Sequence, residues 1–597
     1  MKRKLLCLSA IILCISLLMT GCTWVIRPSK PERPEASLSS EPTEKTEPIV
    51  LPDDFDPSDY PDAVAFSDIE YSRPDVEALI SQINDVTEHI KAGVYFGQIL
   101  DELYEFESYY NEFSTMDSVA YIRYCEDLGD TFYKGEYDYL ENQSPLIQQA
   151  LELLYEAAAE CESKAELETE YFGEGFLDFY LTHDIYTNDE FVALAQKEAK
   201  LQTDYMQLQE NQTVTFDGEE CLLDDLVEEY AEDYLTLYNT IYPAYFEKYN
   251  AAMGEIFVEL VQTRQAMAKA VGYDSYADFA YEYTYARDYT PQMAREYFNE
   301  ICDELAPLYM SFQDSGALNV DYEDMDFDTV VDTLKRALYR IDSAAEGASF
   351  YEFFSFMDHF ELWDATESSA KMSGSYETYL PSYAEPFVYI SPTGTESDFL
   401  TLAHEFGHFS DAMTNDNLDD SLDKCEIFSQ AMEAIALNYS DIDRETAERL
   451  KALKLIDMLE VFVYQGMYAD FEDRVYQLEP ETLTVDIINQ TYADVVRDYG
   501  MYYYGLDWYN EQVWIDINHF FIAPYYIISY CTSADAALQI FVLEDEKKGD
   551  GLDKYMEMIG LAGELEFLEL LEQTEMTSPF SDDRIEYLAD YFRSNLK

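Results

Sequence analysis

A mainly α fold, with a small β-hairpin or sheet beside a histidine-bearing helix, is what this 597-residue sequence predicts. Three observations predict it. Apolar residues recur at spacings of three and four through most of the chain, the period of one helix face. Residues typical of strands gather in only two short stretches. Between Thr401 and Phe409, His404 and His408 stand four residues apart, which on a helix puts both imidazoles on one face, one turn apart.

Taken in order, the chain opens with Met1-Lys2-Arg3-Lys4, an apolar run of 15 residues from Leu5 to Met19, and Met19-Thr20-Gly21-Cys22. The run is short for a bilayer-spanning helix, which needs about 20 residues. Its closing residues resemble a bacterial lipoprotein box, so residues 1–21 are expected to be a signal peptide and Cys22 a lipid anchor. An ordinary signal peptide or an uncleaved anchor is the alternative. Residues 22–61 are rich in Pro, Glu and Ser; they cannot bury enough apolar area to fold and read as a flexible tether. Together these segments place the body outside a bacterial cell, on the outer face of its membrane.

Residues 62–189 read as an N-terminal helical lobe, with Val76, Leu79, Ile80 and Ile83 and then Ile99, Leu100, Leu103 and Phe106 on helical spacing. Residues 190–597 read as a second, larger helical domain. Thr187-Asn188-Asp189-Glu190 forms a capping box before Phe191-Val192-Ala193-Leu194. Val214-Thr215-Phe216-Asp217-Gly218 and the residues to Leu222 predict a small hairpin. Helical periodicity resumes near Leu223 and runs to the C-terminus, interrupted by Gly374 and the β-formers from Ser375 to Ser391, just before His404. A strand there would offer unpaired backbone groups to an extended peptide; a purely structural hairpin is the other reading.

Composition narrows the partners. With 122 acidic against 36 basic residues, a formal charge of -86 makes nucleic acid an unexpected partner, because a phosphate backbone is neutralised by Lys and Arg. Fifty-three tyrosines suit helix packing beside a wet interior. Beyond Cys22, the scattered Cys125, Cys161, Cys221, Cys302, Cys425 and Cys531 read as mostly buried free thiols, with a pairing left open.

The chemistry gathers around His404-Glu405-Phe406-Gly407-His408. Two imidazoles one turn apart can share a tetrahedral metal ion, and the intervening glutamate can take a proton from a water held there. A catalytic site wants a third protein ligand. Downstream, Glu426, Ser429, Gln430 and Glu433 share a helix face. Glu426 is taken as the ligand and Glu433 as support for a histidine, although the two roles can be exchanged.

His404-Glu405-Phe406-Gly407-His408 followed by Glu426-x-x-Ser429-Gln430-x-x-Glu433 resembles the oligoendopeptidase F and thimet oligopeptidase family of zinc metallopeptidases. Trp514 to Tyr530 is similar to a second block of that family, and Trp363-Asp364, Lys371, Gly374-x-Tyr376, Pro386-Phe387-Val388 and Phe471-Glu472 to shorter ones. The resemblance covers roughly residues 190–590. It implies two helical lobes enclosing a deep substrate channel, one Zn²⁺ per chain on His404, His408 and Glu426, short peptides as substrates, and Glu405 as general base. It also implies that His519, Tyr526 and Tyr530 hold the oxyanion; Pro524 shifts the register, so Tyr525 stands as the alternative to Tyr526. Asp411 departs from the histidine common in the family, and Ser391 from its asparagine. Against a zinc endopeptidase stand two rivals: a peptide-binding lipoprotein with weak or no catalysis, and a metallo-carboxypeptidase or dipeptidase using the same site.

Overall fold

A computed structural model describes residues 51–52, 55–173, 175–177, 188–209, 212–231, 233–318, 320, 322–368, 370–415, 421 and 423–596. The signal segment, Cys22 and the first part of the tether lie outside the described residues. Among those residues no helix is long and apolar enough to cross a membrane.

Three long helices open the fold: α1 (Val76–Lys91), α2 (Phe96–Glu126) and α3 (Thr131–Glu160). Asp75 and Asp130 cap α1 and α3 by accepting first-turn N–H groups. Ile83, Leu103, Phe106, Leu140 and Leu154 are fully enclosed in a core of their own, made of residues between Val76 and Leu177. Met116, Val119 and Ile122, farther along α2, belong instead to the core of the main body. Helix α2 therefore joins the two cores.

The main body begins at α4 (Asp189–Gln209). Its cap is Asn188, whose Oδ1 accepts from the N–H groups of Glu190 and Phe191, whereas the sequence suggested a box opened by Thr187, which lies outside the described residues. The short asparagine side chain reaches the second and third helical N–H directly. The expected hairpin follows as β1 (Thr213–Phe216) and β2 (Glu219–Leu222), antiparallel, with Asp217 and Gly218 both at positive φ in its turn. Helix α5 (Tyr242–Ala270) packs on α4.

A second sheet of three strands adjoins the histidine helix: β3 (Trp363–Asp364), β4 (Ser375–Leu380) and β5 (Glu385–Ile390), in the order β3-β5-β4. Central β5 is buried along its whole length, parallel to β3 and antiparallel to β4, with Tyr376 opposite Tyr389. Burial alternates along edge strand β4, where Tyr376, Thr378 and Leu380 point inward. Lys371 ties the sheet together by pairing with Asp364 and donating to Ile390 O.

Next come α6 (Asp398–Asn415), carrying the histidines, and α7 (Cys425–Tyr439), carrying Glu426 and Glu433. Buried Asp398 accepts from the N–H groups of Thr393 and Gly394, which fixes the loop entering α6. The two helices cross at Gly407, where a Cβ would stand 2.5 Å from Ser429 Cα and 2.8 Å from Phe428 O. Only glycine permits that approach, because both neighbours are backbone. Gly407→Ala is expected to destabilise the fold by about 1–3 kcal/mol and to weaken metal binding; unchanged thermal unfolding would refute the close-approach argument.

All six described cysteines are free thiols. Only Cys125 and Cys531 are buried, however, and the other four are half-buried, which corrects the expectation of a mostly buried set. Cys161 follows the last residue of α3, Cys221 lies on the largely exposed hairpin strand β2, Cys302 lies within a helical stretch and Cys425 is the first residue of its helix, none of them a position enclosed on all sides.

Candidate active site

Because α6 and α7 touch at Gly407, His404, His408 and Glu426 meet. His404 Nε2 is 3.2 Å and His408 Nε2 3.7 Å from Glu426 Oε2. Among the described residues these three form the one group of His, Cys, Asp and Glu side chains with the spacing to hold a metal ion. All three keep some exposure, so the ligand edges face accessible space.

The second nitrogen of His404 is also engaged: Nδ1–H donates to Glu433 Oε1 over 2.8 Å. Lys454 Nζ donates to the same oxygen over 2.7 Å. Glu433 thereby orients one imidazole, and Lys454 holds Glu433 in its charged form. Ser429 Oγ, one turn along α7, donates to Glu426 Oε2 over 2.8 Å. Lys454 was not singled out from sequence; its one signal is a lone charge within Leu453, Leu455 and Ile456, all buried.

Electrostatics follow from this packing. Burial opposes charge on His404, but Glu426 and Glu433 outweigh it and hold its pKa well above the ordinary value. Burial, joined by the nearby His404, lowers His408 to about 4 despite Glu426. Glu426 is pushed up by burial yet held far below the carboxyl range by His404, His408 and Ser429. Glu433, opposed by burial, is lowered by Lys454 and His404. For Glu405 burial wins: it pushes the carboxyl up to about 8 against the pull of His404, with Glu426 and Glu433 adding to the rise.

This donor set fits a zinc ion. In the metal-free chain His404 keeps both ring protons, Nδ1–H on Glu433 and Nε2–H toward Glu426 Oε2 3.2 Å away; a cation between Nε2 and Oε2 would take the place of that second proton. Two ligands about 2.0–2.2 Å from a tetrahedral ion stand roughly 3.3 Å apart. Two imidazoles and one carboxylate leave a fourth position open. Glu433→Gln is expected to weaken zinc binding about 10–100-fold, measured by competition with a chelating dye; unchanged affinity would remove its supporting role.

The second block lies on two further elements, the short helix α8 (Asn518–Ile522) and α9 (Ile528–Glu546). His519 stacks on Tyr526, with ring centroids 5.4 Å apart and 13° between planes, and its Nε2 is 3.3 Å from Tyr530 Oη. Tyr526 meets Tyr530 edge-on at 5.1 Å. Burial lowers His519 to about 4, so its ring is neutral. Burial, then Tyr530, Cys425 and Glu426, raise the Tyr526 phenol well above its ordinary pKa, so its hydroxyl is protonated.

Tyr525 points elsewhere. It adopts φ 65°, its N–H donates to buried Glu472 Oε2 over 2.8 Å, and its ring packs against Tyr281 and Tyr476. A left-handed residue directly after Pro524 reverses the chain and sends the two tyrosines apart. The Phe471-Glu472 pair noted in the sequence accordingly anchors this turn. Buried Asp423 links α7 to α9, accepting from Thr532 Oγ1 (2.9 Å) and Tyr289 Oη (2.8 Å) and pairing with Arg287. That link was not foreseen, since its partners lie far apart in sequence.

The sequence matches the peptidase M3 N-terminal domain over residues 66–186 and peptidase family M3 over residues 323–589. Among curated proteins it is similar to an oligoendopeptidase F homolog of Borreliella burgdorferi, 26% identical over 217 residues that make up 34% of this chain and 36% of that protein. It is also similar to the chromosomal oligoendopeptidase F of Lactococcus lactis subsp. cremoris, 29% identical over 212 residues, 32% of this chain and 34% of that one. The matched stretch thus spans about a third of the length of these curated relatives. In fold the chain resembles PZ peptidase A, solved with an inhibitor, at a TM-score of 0.72 and 23% identity, over 89% of this chain and 100% of that one. Two domain matches of one family, over nearly two thirds of the sequence, settle its descent: the chain belongs to peptidase family M3, a family of metallopeptidase hydrolases.

Proposed function

We propose that this chain is a zinc-dependent oligoendopeptidase that hydrolyses internal bonds of short peptides, with one Zn²⁺ held by His404, His408 and Glu426. The observation that carries the reading is His404 fixed between two carboxylates, Glu433 at 2.8 Å on Nδ1 and Glu426 at 3.2 Å from Nε2. Zinc in that place supplies Lewis-acid chemistry, lowering the pKa of a water and polarising a peptide carbonyl.

The protein's own residues do the rest. Glu405 follows His404 on α6, takes a proton from the attacking water and passes it to the departing amine. Neutral His519 and the hydroxyls of Tyr526 and Tyr530 offer donors to the oxyanion that forms at the carbonyl. His519→Ala is expected to lower kcat about 100-fold with zinc content unchanged. Equal turnover in the two proteins would remove His519 from the mechanism.

Cleavage of a ten-residue peptide followed by mass spectrometry tests the bond class. Internal cuts are expected; release of terminal residues alone would favour the carboxypeptidase or dipeptidase reading, and tight binding without any product the peptide-binding one. We also propose that Cys22 carries a lipid and holds the enzyme on the outer face of a bacterial membrane. The basic start, 15-residue apolar run and Gly21-Cys22 junction support this, and Cys22→Ala is expected to move the protein from the membrane fraction into the medium. Retention of that variant in the membrane would argue for an uncleaved anchor.

A further inference from the structure

Helix α8, which carries His519, has only five residues, too few to be stable by its own hydrogen bonds. Its last carbonyls lack partners within the helix. Ala523 N–H returns to His519 O, and the remaining carbonyls are taken by side chains from α4 and α5. Arg264 of α5, fully buried, donates Nη1 to Phe520 O over 2.8 Å and Nη2 to Phe521 O. Gln202 of α4 donates to Phe521 O (3.3 Å) and Ile522 O (3.1 Å). Arg264 is itself fixed by Glu198 of α4 at 2.5 Å, and its Nη1 is 3.1 Å from Tyr476 Oη. At the other end of α8, the Tyr205 hydroxyl lies 3.0 Å from Ile515 O and 2.7 Å from Asn518 Oδ1, while its ring stacks on Phe521 with centroids 3.7 Å apart.

Every one of the α4 and α5 residues in this cradle, Glu198, Gln202, Tyr205 and Arg264, lies between the two stretches matched to family M3. A guanidinium at a helix C-terminus is favoured electrostatically, and its rigid fork can address two successive carbonyls at once. Full burial beside Glu198 leaves it little freedom, so α8 inherits the position of α5 rather than its own.

We infer that Arg264 is a positioning residue that acts through His519, holding α8 by its terminal carbonyls so that the imidazole stays aimed at the reacting carbonyl. This rests on the reading of His519 as an oxyanion donor. Oxyanion donors work only when placed in advance, and a misplacement of about 1 Å removes about 100-fold in rate.

The test is a double-mutant cycle of Arg264→Lys with His519→Ala, read as kcat and KM on one internally quenched peptide, with zinc content and thermal unfolding measured on each protein. Lysine keeps the charge beside Glu198 but cannot address both carbonyls. Arg264→Lys is expected to lower kcat about tenfold, with KM within about twofold and full zinc content. In the His519→Ala background the same change is expected to have less than about a twofold effect, because the group it positions is gone. An equal loss in both backgrounds would overturn the inference in favour of a purely structural role, as would an unchanged kcat. If His519→Ala alone leaves kcat untouched, it is the oxyanion reading that falls. Should Arg264→Lys not fold, Gln202→Ala runs the same cycle, with a loss of about threefold expected only where His519 is present.

Discussion

Glu405→Gln is expected to lower peptide cleavage by about 10³-fold or more while zinc stays bound. General acid-base help is worth roughly 10²–10⁴-fold, and in the proposed mechanism Glu405 serves both proton transfers, so one substitution removes both. Glutamine keeps the size and burial of the side chain, and none of His404, His408 or Glu426 depends on Glu405 for a hydrogen bond. Stability responds in the opposite sense. Burial pushes the Glu405 carboxyl up to about 8, so the metal-free folded chain keeps a proton that the unfolded chain has lost. Its stability therefore falls as pH rises from the ordinary carboxyl range to about 8. Chelator-treated Glu405→Gln lacks that penalty and is expected to unfold at a higher temperature than treated wild type at pH 8.5. A lower one would show that the folded chain compensates the Glu405 carboxylate and contradict the penalty.

Glu426→Gln is expected to have the larger effect on metal. The carboxylate is the one anionic member of the triad, and its loss leaves His404 and His408 with no charged partner on their Nε2 side. Zinc affinity should fall by more than the 10–100-fold of an outer partner, and activity with it. Comparison with Glu433→Gln ranks the two carboxylates, whose roles sequence alone left exchangeable: Glu426 is expected to be the more damaging to metal binding and Glu433 the less. The reverse order would exchange them.

Much of the site is readable in the chain because its ligands are local. His404 and His408 share one helix face, and Glu426 and Glu433 another, so helical periodicity alone brings each pair together. Gly407 marks where the two helices touch, but a glycine inside a motif does not announce that its neighbour is Ser429 backbone. The mainly helical fold and the hairpin at Asp217-Gly218 were legible for the same reason of short-range periodicity and turn chemistry. Long-range partners were not. Lys454 reaches Glu433 across 21 positions, Asp423 reaches Thr532 across 109, and Arg264 reaches Phe520 across 256; nothing in their own neighbourhoods specifies these pairings. The choice between Tyr525 and Tyr526 depended on one left-handed residue after Pro524, held by Glu472 53 positions away.

Metal content and peptide cleavage, determined together on the same purified protein before and after chelation, test the central claim most directly. The account predicts one zinc per chain, internal cleavage of short peptides, loss of that cleavage as zinc is removed, and its return when zinc is restored. Undiminished cleavage by protein freed of all metal would contradict it, as would zinc bound with equal affinity after His404, His408 and Glu426 are replaced.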